Sequence, residues 1–411
     1  MEVMKKFFIL ICSNLILLSS FPIFAQQQSA ALEKQPSQPT SPAEFSPLEI
    51  AKEYFKPTVK LAGRLQTDIA FYDSDRQRLG SGTIIRRLWL EMNGKLTPQI
   101  WRYRLQFGIE RNELNVYDAY MRFQPSDNTY FDIGHFREPF FLNALISNNH
   151  LTFLERALPN MFEPNRRIGI GGVHYQQLNS HHSYHISGGI FGETQDADPE
   201  SERDEGYGVS ARAATAYNIT PDTLFMIGVA GNYRRTNGED TIRFRTRPET
   251  RVTNVRLIDT GDLAHTKGIA LGDIQGAVVY HNYSLQGELV ESYVQRERGL
   301  SNARFSGWYL FASWFLTGES RVYNPQTATF VGITPRNKKW GAWELAGRVS
   351  EVDLDDGNIE GGRELNTTLG LNWYVTRYIR FYANYIKVFS KRQGIEDDPQ
   401  FLTLRAHFYF D

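Results

Sequence analysis

Strand-length segments in which apolar and polar side chains alternate recur sixteen times between residues 58 and 411. No run of about 18 apolar residues, the length a membrane helix needs, occurs beyond the N-terminus. An extended chain sends successive side chains to opposite faces, so each segment has one apolar face and one polar face. The segment IWRYRLQFGIE shows the contrast most sharply. Trp101, Tyr103, Leu105, Phe107 and Ile109 share one face, and Arg102, Arg104, Gln106 and Glu110 share the other. A soluble sheet would turn the apolar face inward and leave the arginines in water. A barrel in a bilayer would do the reverse, with arginines lining a wet bore. One strand alone does not decide between them.

The set of segments does. They fall near 58–72, 82–95, 99–111, 114–125, 129–136, 167–178, 183–191, 206–217, 223–235, 268–281, 283–295, 305–316, 340–353, 364–375, 378–390 and 400–411. An even number suits a closed antiparallel barrel. Links after the second, fourth, sixth, eighth, tenth and fourteenth segments are short, whereas 137–166, 192–205, 236–267 and 391–399 are long and lie on the other side. Short turns at one end and long loops at the other are the pattern of outer-membrane barrels, and stacked soluble sandwiches have no reason to segregate loop lengths this way. The expected fold is therefore all-β: a transmembrane antiparallel β-barrel of sixteen strands, wide enough for an aqueous channel.

The N-terminus agrees with that location. Lys5 and Lys6 precede the apolar run FFILICSNLILLSSFPIFA, which reads as a secretory signal over residues 1–25. Residues 26–57, rich in Gln, Ser, Pro and Ala, read as a low-complexity periplasmic tether, and 58–411 as the barrel. The one cysteine, Cys12, lies inside the signal, which excludes a disulfide scaffold. A formal net charge of −1 provides no global field for nucleic acid.

The link after the fifth segment, within Gly134–Gly172, is too long for a surface hairpin and too apolar for a mobile one. Phe140, Phe141, Leu142, Leu145, Ile146, Leu151, Phe153, Leu154, Leu158, Met161 and Phe162 need something to pack on, and the inner wall would provide it. Its sequence, FREPFFLNALISNNHLTFLERALPNMFEPNRRIGIG, resembles the constriction segment of the phosphate-selective porins O and P. GWYLFASWFLTGESRVYNP (307–325) and residues 343–385 resemble that family's late-barrel and closing motifs. The resemblance implies an outer-membrane homotrimer, embedded in lipid, that passes phosphate, polyphosphate or other small anions. It implies no cofactor and no enzymatic activity.

On that basis the expected anion-binding groups are Arg137, Arg156, Arg166 and Arg167 at the constriction, with Arg64, Arg102 and Arg104 on the wall. Arginine suits the task because it stays charged and grips phosphate oxygens bidentately. Glu138, Glu155 and Glu163 offset these groups, so residues 135–167 carry a surplus of one positive charge and the expected preference is mild. The link 317–339 breaks the short-turn rule and holds Arg321, Arg336, Lys338 and Lys339 against Glu319. In the resembled family this turn enters the bore; otherwise its basic tip is merely solvated. His181, His182 and His185 in HHSYH read as a polar cluster at the rim rather than a metal site, and GIGG at Gly169–Gly172 as strand glycine. Two alternatives stay open: a general or carbohydrate-type diffusion porin with little ion selectivity, and an outer-membrane enzyme. No G-x-S-x-G or H-E-x-x-H supports the latter.

Overall fold

The computed structural model describes residues 57–96, 100–110, 113–192 and 205–411, so the signal and nearly all of the tether lie outside the described residues. Among the described residues, sixteen long strands pair in sequence. They are β1 (Lys60–Asp73), β2 (Gly82–Lys95), β3 (Trp101–Glu110), β4 (Glu113–Ser126), β5 (Thr129–Arg137), β6 (Arg166–Gln177), β7 (His182–Phe191) and β8 (Tyr207–Thr220). The second half comprises β9 (Thr223–Ile242), β10 (Leu263–Tyr280), β11 (Tyr283–Arg296), β12 (Ala303–Phe315), β13 (Ala342–Asp356), β14 (Ile359–Tyr374), β15 (Ile379–Arg392) and β16 (Gln400–Phe410). Every neighbouring pair is antiparallel, and β1 closes on β16 in a register running from Gly63 opposite Phe410 to Asp73 opposite Gln400. Closure leaves the barrel without an edge strand, so its backbone hydrogen bonds are met by neighbouring strands except at bulges.

The burial pattern is inverted relative to a soluble protein. On β15, Ile379, Phe381, Tyr385 and Phe389 are exposed, whereas Arg380, Asn384 and Ser390 are buried. On β1, Leu61, Leu65, Ile69 and Phe71 are exposed, and Arg64, Gln66 and Asp68 are buried. The apolar faces therefore meet lipid and the polar faces meet the interior. Where each strand meets its short turn, outward aromatic rings pair: Trp101 with Phe123, Tyr283 with Trp314, and Trp343 with Trp373. Such a girdle of amphipathic rings marks a headgroup boundary.

Strict alternation fails at one informative place. Gln66 pairs with Arg87 but Thr67 pairs with Ile85, so Arg86 is the extra residue of a β-bulge. Alternation alone would turn Arg86 toward lipid, at a cost of about 2–4 kcal/mol near the midplane. The bulge turns it inward instead, and Arg86 and Arg87 are both buried.

β9 and β10 run beyond the expected limits, to Ile242 and from Leu263. The extension is polar, because a strand that has left the bilayer needs no apolar face.

Candidate functional site

The chain between β5 and β6 runs inside the barrel. Its ends are tied together by the Glu138 amide, which donates to the Asn165 carbonyl at 3.2 Å. Inward side chains from much of the circumference then hold its backbone. Gln275 donates to the Phe140 carbonyl at 2.7 Å, Arg380 to the Leu151 carbonyl at 2.8 Å and Asn372 to the Thr152 carbonyl at 2.9 Å. Arg348 donates to the Glu155 carbonyl at 3.0 Å, and Arg405 to that of Leu154. The Glu288 carboxylate accepts from the Leu142 amide and, at 3.0 Å, from the Asn143 amide. The apolar residues of the segment pack as the sequence requires. Phe140, Phe141, Leu158 and Phe162 join Val290, Val294, Phe305 and Val352 of the wall, and Leu142, Ile146 and Leu151 join Ala214, Ala216 and Met226.

Glu155 is the main electrostatic anchor. It accepts from Arg86 at 2.7 Å and from Arg405 at 2.6 Å, with Arg87 at 3.6 Å. Burial alone would raise its pKa, but Arg86, Arg87 and Arg405 together outweigh burial and hold the carboxyl well below the usual carboxylate range.

The extracellular link 243–262 also folds inward, although its length alone places it among the long outer loops. Glu249 accepts from Arg348 at 2.6 Å, from Ser350 at 2.5 Å and from the Leu158 amide at 3.1 Å, laying this link on the β5–β6 segment. Phe244 and Ile258 pack into the same apolar cluster as Phe140.

Two chambers result. The outer one, about 400 Å³, is lined by Arg86, Arg87, Arg156, Arg243, Arg245, Arg247, Arg251 and Arg256 against Glu155, Glu163 and Glu249. The inner one, about 330 Å³, is lined by Arg64, Arg104, Arg137, Arg156 and Arg166 against Asp118 and Asp132. Arg156 lines both. Five vestibule arginines come from RFRTRPETRVTNVR, 243–256, whose charge density was a legible signal that the sequence reading passed over.

The expected site residues divide. Arg64, Arg104, Arg137, Arg156 and Arg166 meet at the inner chamber. Most are paired: Arg137 with Glu163, Arg166 with Asp118 at 2.7 Å, and Arg104 with Glu91 at 2.8 Å. Arg64 lies over the Trp89 ring at 4.5 Å. Arg167, expected at the constriction, is turned to Glu138 at 3.5 Å and does not line either chamber. Arg102, expected as a wall partner of Arg104, is exposed at the turn end of β3 and also stands apart, because two residues along a strand move a side chain some 6–7 Å.

Arg156 differs from the others. Its guanidinium donates to the carbonyls of Asn143 at 2.9 Å, Ala144 at 3.0 Å and Ile146 at 2.7 Å, and to the Asn148 amide oxygen. Among the described residues no carboxylate forms an ion pair with it. Burial pulls its pKa down to about 9, still above neutrality, so a fixed cation stands between the chambers.

The inner link between β12 and β13 also divides. Arg321 enters the bore, lies over Phe330 at 3.9 Å and donates to Gln286 at 3.0 Å. Arg336, Lys338 and Lys339 stay exposed at the tip. His185 faces inward and bonds the Gln326 carbonyl at 3.1 Å, whereas His181 and His182 bond the Asn218 carbonyl and Thr215 near the rim. The glycines at 169–172 lie on β6.

The profile of the family described as phosphate-selective porin O and P matches residues 59–410. The chain belongs to that family. This porin is 25% identical to Porin O of Pseudomonas aeruginosa, over 88% of its own length and 91% of the relative's. An uncharacterized protein of Caulobacter vibrioides is 26% identical, over 79% of this porin and 67% of the relative. Among solved structures, the anion-selective porin from Comamonas acidovorans matches with a TM-score of 0.54 at 12% identity, covering 86% of this porin and 100% of that chain. OmpT, an outer membrane protein of Vibrio cholerae, matches with a TM-score of 0.56 at 10% identity, covering 87% and 100%. These two likenesses establish the barrel fold, and family and fold together place the porin in the outer membrane.

Proposed function

We propose that the porin is a passive channel for small anions, phosphate foremost, and that it works as a homotrimer. The observation that carries the reading is Arg156, a half-buried cation lining both chambers whose hydrogen bonds go to carbonyl and amide oxygens only. Seven further arginines against three glutamates outside it, and four against two aspartates within, would attract an anion from either side. Many weak sites in series favour conduction, because an ion must enter readily yet leave each site. The relatives' printed names, a phosphate-selective family and Porin O, support the choice of phosphate.

The measurement that decides is the reversal potential across a planar bilayer in a potassium chloride gradient. Anion selectivity is expected at low salt and should weaken toward 1 M, where the Debye length falls to about 3 Å. Cation selectivity at low salt overturns the reading. One observation favours a less selective pore: the pairs of Arg137 with Glu163, Arg104 with Glu91 and Arg166 with Asp118 each neutralise a candidate cation. A ratio near unity at every salt concentration would favour that general porin.

A further inference from the structure

Beside the inner chamber the wall is hollowed into a small alcove of about 170 Å³, room for a single ring rather than for a large ligand. Its lining is largely apolar: Tyr130 and Phe136 from β5, Leu145 and Pro139 from the inserted segment, and Val173 from β6. Gly171 keeps the space open, since a Cβ there would stand 3.1 Å from the Phe136 ring. Ser187 of β7 is buried, and its hydroxyl has no partner among the described residues.

The alcove is continuous with the arginine chamber. Asp132, Phe136, Arg137, Leu145, Thr327 and Thr329 line both. The acid at this junction is already satisfied, because Arg122 holds Asp132 by two bonds of 2.7 and 2.8 Å. A solute reaching the chamber therefore meets cationic groups on one side and, on the other, a mainly apolar recess that also carries Ser187, His185, Thr327 and Thr329. Inorganic phosphate has no apolar part to place in such a recess.

We propose that the alcove takes the apolar part of a small organic phosphate, its ring lying against Tyr130 and Phe136 while its anionic group stays among the chamber arginines. The proposal rests on the anion-channel reading and names a solute class within it. Ring burial in a preformed recess raises affinity even after ordering costs are subtracted, by about tenfold for a phenyl group.

The test compares half-blocking concentrations of phenyl phosphate, methyl phosphate and inorganic phosphate on chloride current through the full-length porin in planar bilayers. Phenyl phosphate should block at about tenfold lower concentration than the other two. Ser187→Leu, which fills the alcove, should abolish that advantage and leave block by inorganic phosphate unchanged, which also shows that the pore is folded. Val173→Phe fills the recess from the neighbouring strand and should do the same. Equal block by all three solutes in the unaltered porin overturns the alcove proposal alone, as does an advantage that survives both substitutions. If none of the three blocks, the anion-channel reading and the alcove proposal fail together.

Discussion

Glu155→Ala is expected to release the inserted segment from the wall and raise single-channel conductance toward that of a porin lacking residues 140–162. The substitution leaves Arg86, Arg87 and Arg405 facing one another, with Glu110 and Asp68 as their remaining counter-charges. Removing one partner of a buried ion network costs about 3–5 kcal/mol, because the other charges stay desolvated and unpaired. The barrel ladder does not pass through Glu155, so β-rich circular dichroism in detergent should be retained while the loop becomes open to protease. Glu155→Gln preserves shape and some hydrogen bonding, and should fall between the two. The anchor also has a pH signature. The carboxyl is depressed in the folded protein, so its stabilisation is complete above the ordinary carboxylate range and is lost only as pH falls through the lower folded value. Conductance should therefore stay level through mildly acidic pH and rise only in stronger acid. An unchanged conductance in Glu155→Ala would mean that the backbone bonds from Arg348, Arg380, Gln275 and Glu288 hold the segment without it.

What the sequence disclosed and what it concealed divide along a physical line. Alternation is a local property of a strand against lipid, so Trp101 to Ile109 could be turned outward and sixteen strands counted from the residues alone. The buried path of the β5–β6 segment was legible for a related reason: Phe140, Phe141, Leu158 and Phe162 are too apolar to project into water. The link 243–262 carries few such anchors, chiefly Phe244, Leu257 and Ile258, and its inward fold depends on Glu249 finding Arg348 some hundred positions away in sequence. No periodicity announces a contact of that kind. Arg86 was hidden because a one-residue bulge reverses the face of every residue beyond it, and a bulge leaves no mark in composition. The sequence likewise gave Arg137 and Arg156 equal standing. The fold separates them, since Glu163 forms an ion pair with one and the hydrogen bonds of the other go to carbonyl and amide oxygens. Arg321 and Arg336 were grouped as one basic turn, yet only Arg321 has aromatic rings within reach.

That separation predicts unequal effects on selectivity. Arg156→Gln should lower the anion-to-cation permeability ratio about tenfold at low salt, whereas removing the Arg137–Glu163 pair together, as Arg137→Gln with Glu163→Gln, should change it by no more than about twofold. A unit charge acting on an ion about 12 Å away contributes about 1.4 kcal/mol at an effective dielectric near 20, a tenfold factor, which sets the larger figure. Arg137 acts as half of a pair with Glu163, whose carboxylate cancels most of its field along the channel. Removing Arg137 alone would expose that carboxylate as a new negative charge, which is why the pair is removed together. Glutamine can keep one or two of the bonds that Arg156 makes to Asn143, Ala144 and Ile146, which limits disturbance of the segment. Single-channel conductance in potassium chloride checks that limit, because a displaced segment would widen the pore. A ratio that moves as far in the Arg137→Gln, Glu163→Gln double substitution as in Arg156→Gln, with conductance unchanged, would show that pairing within the bore does not screen its charges, and the selectivity would then belong to the summed vestibule rather than to Arg156.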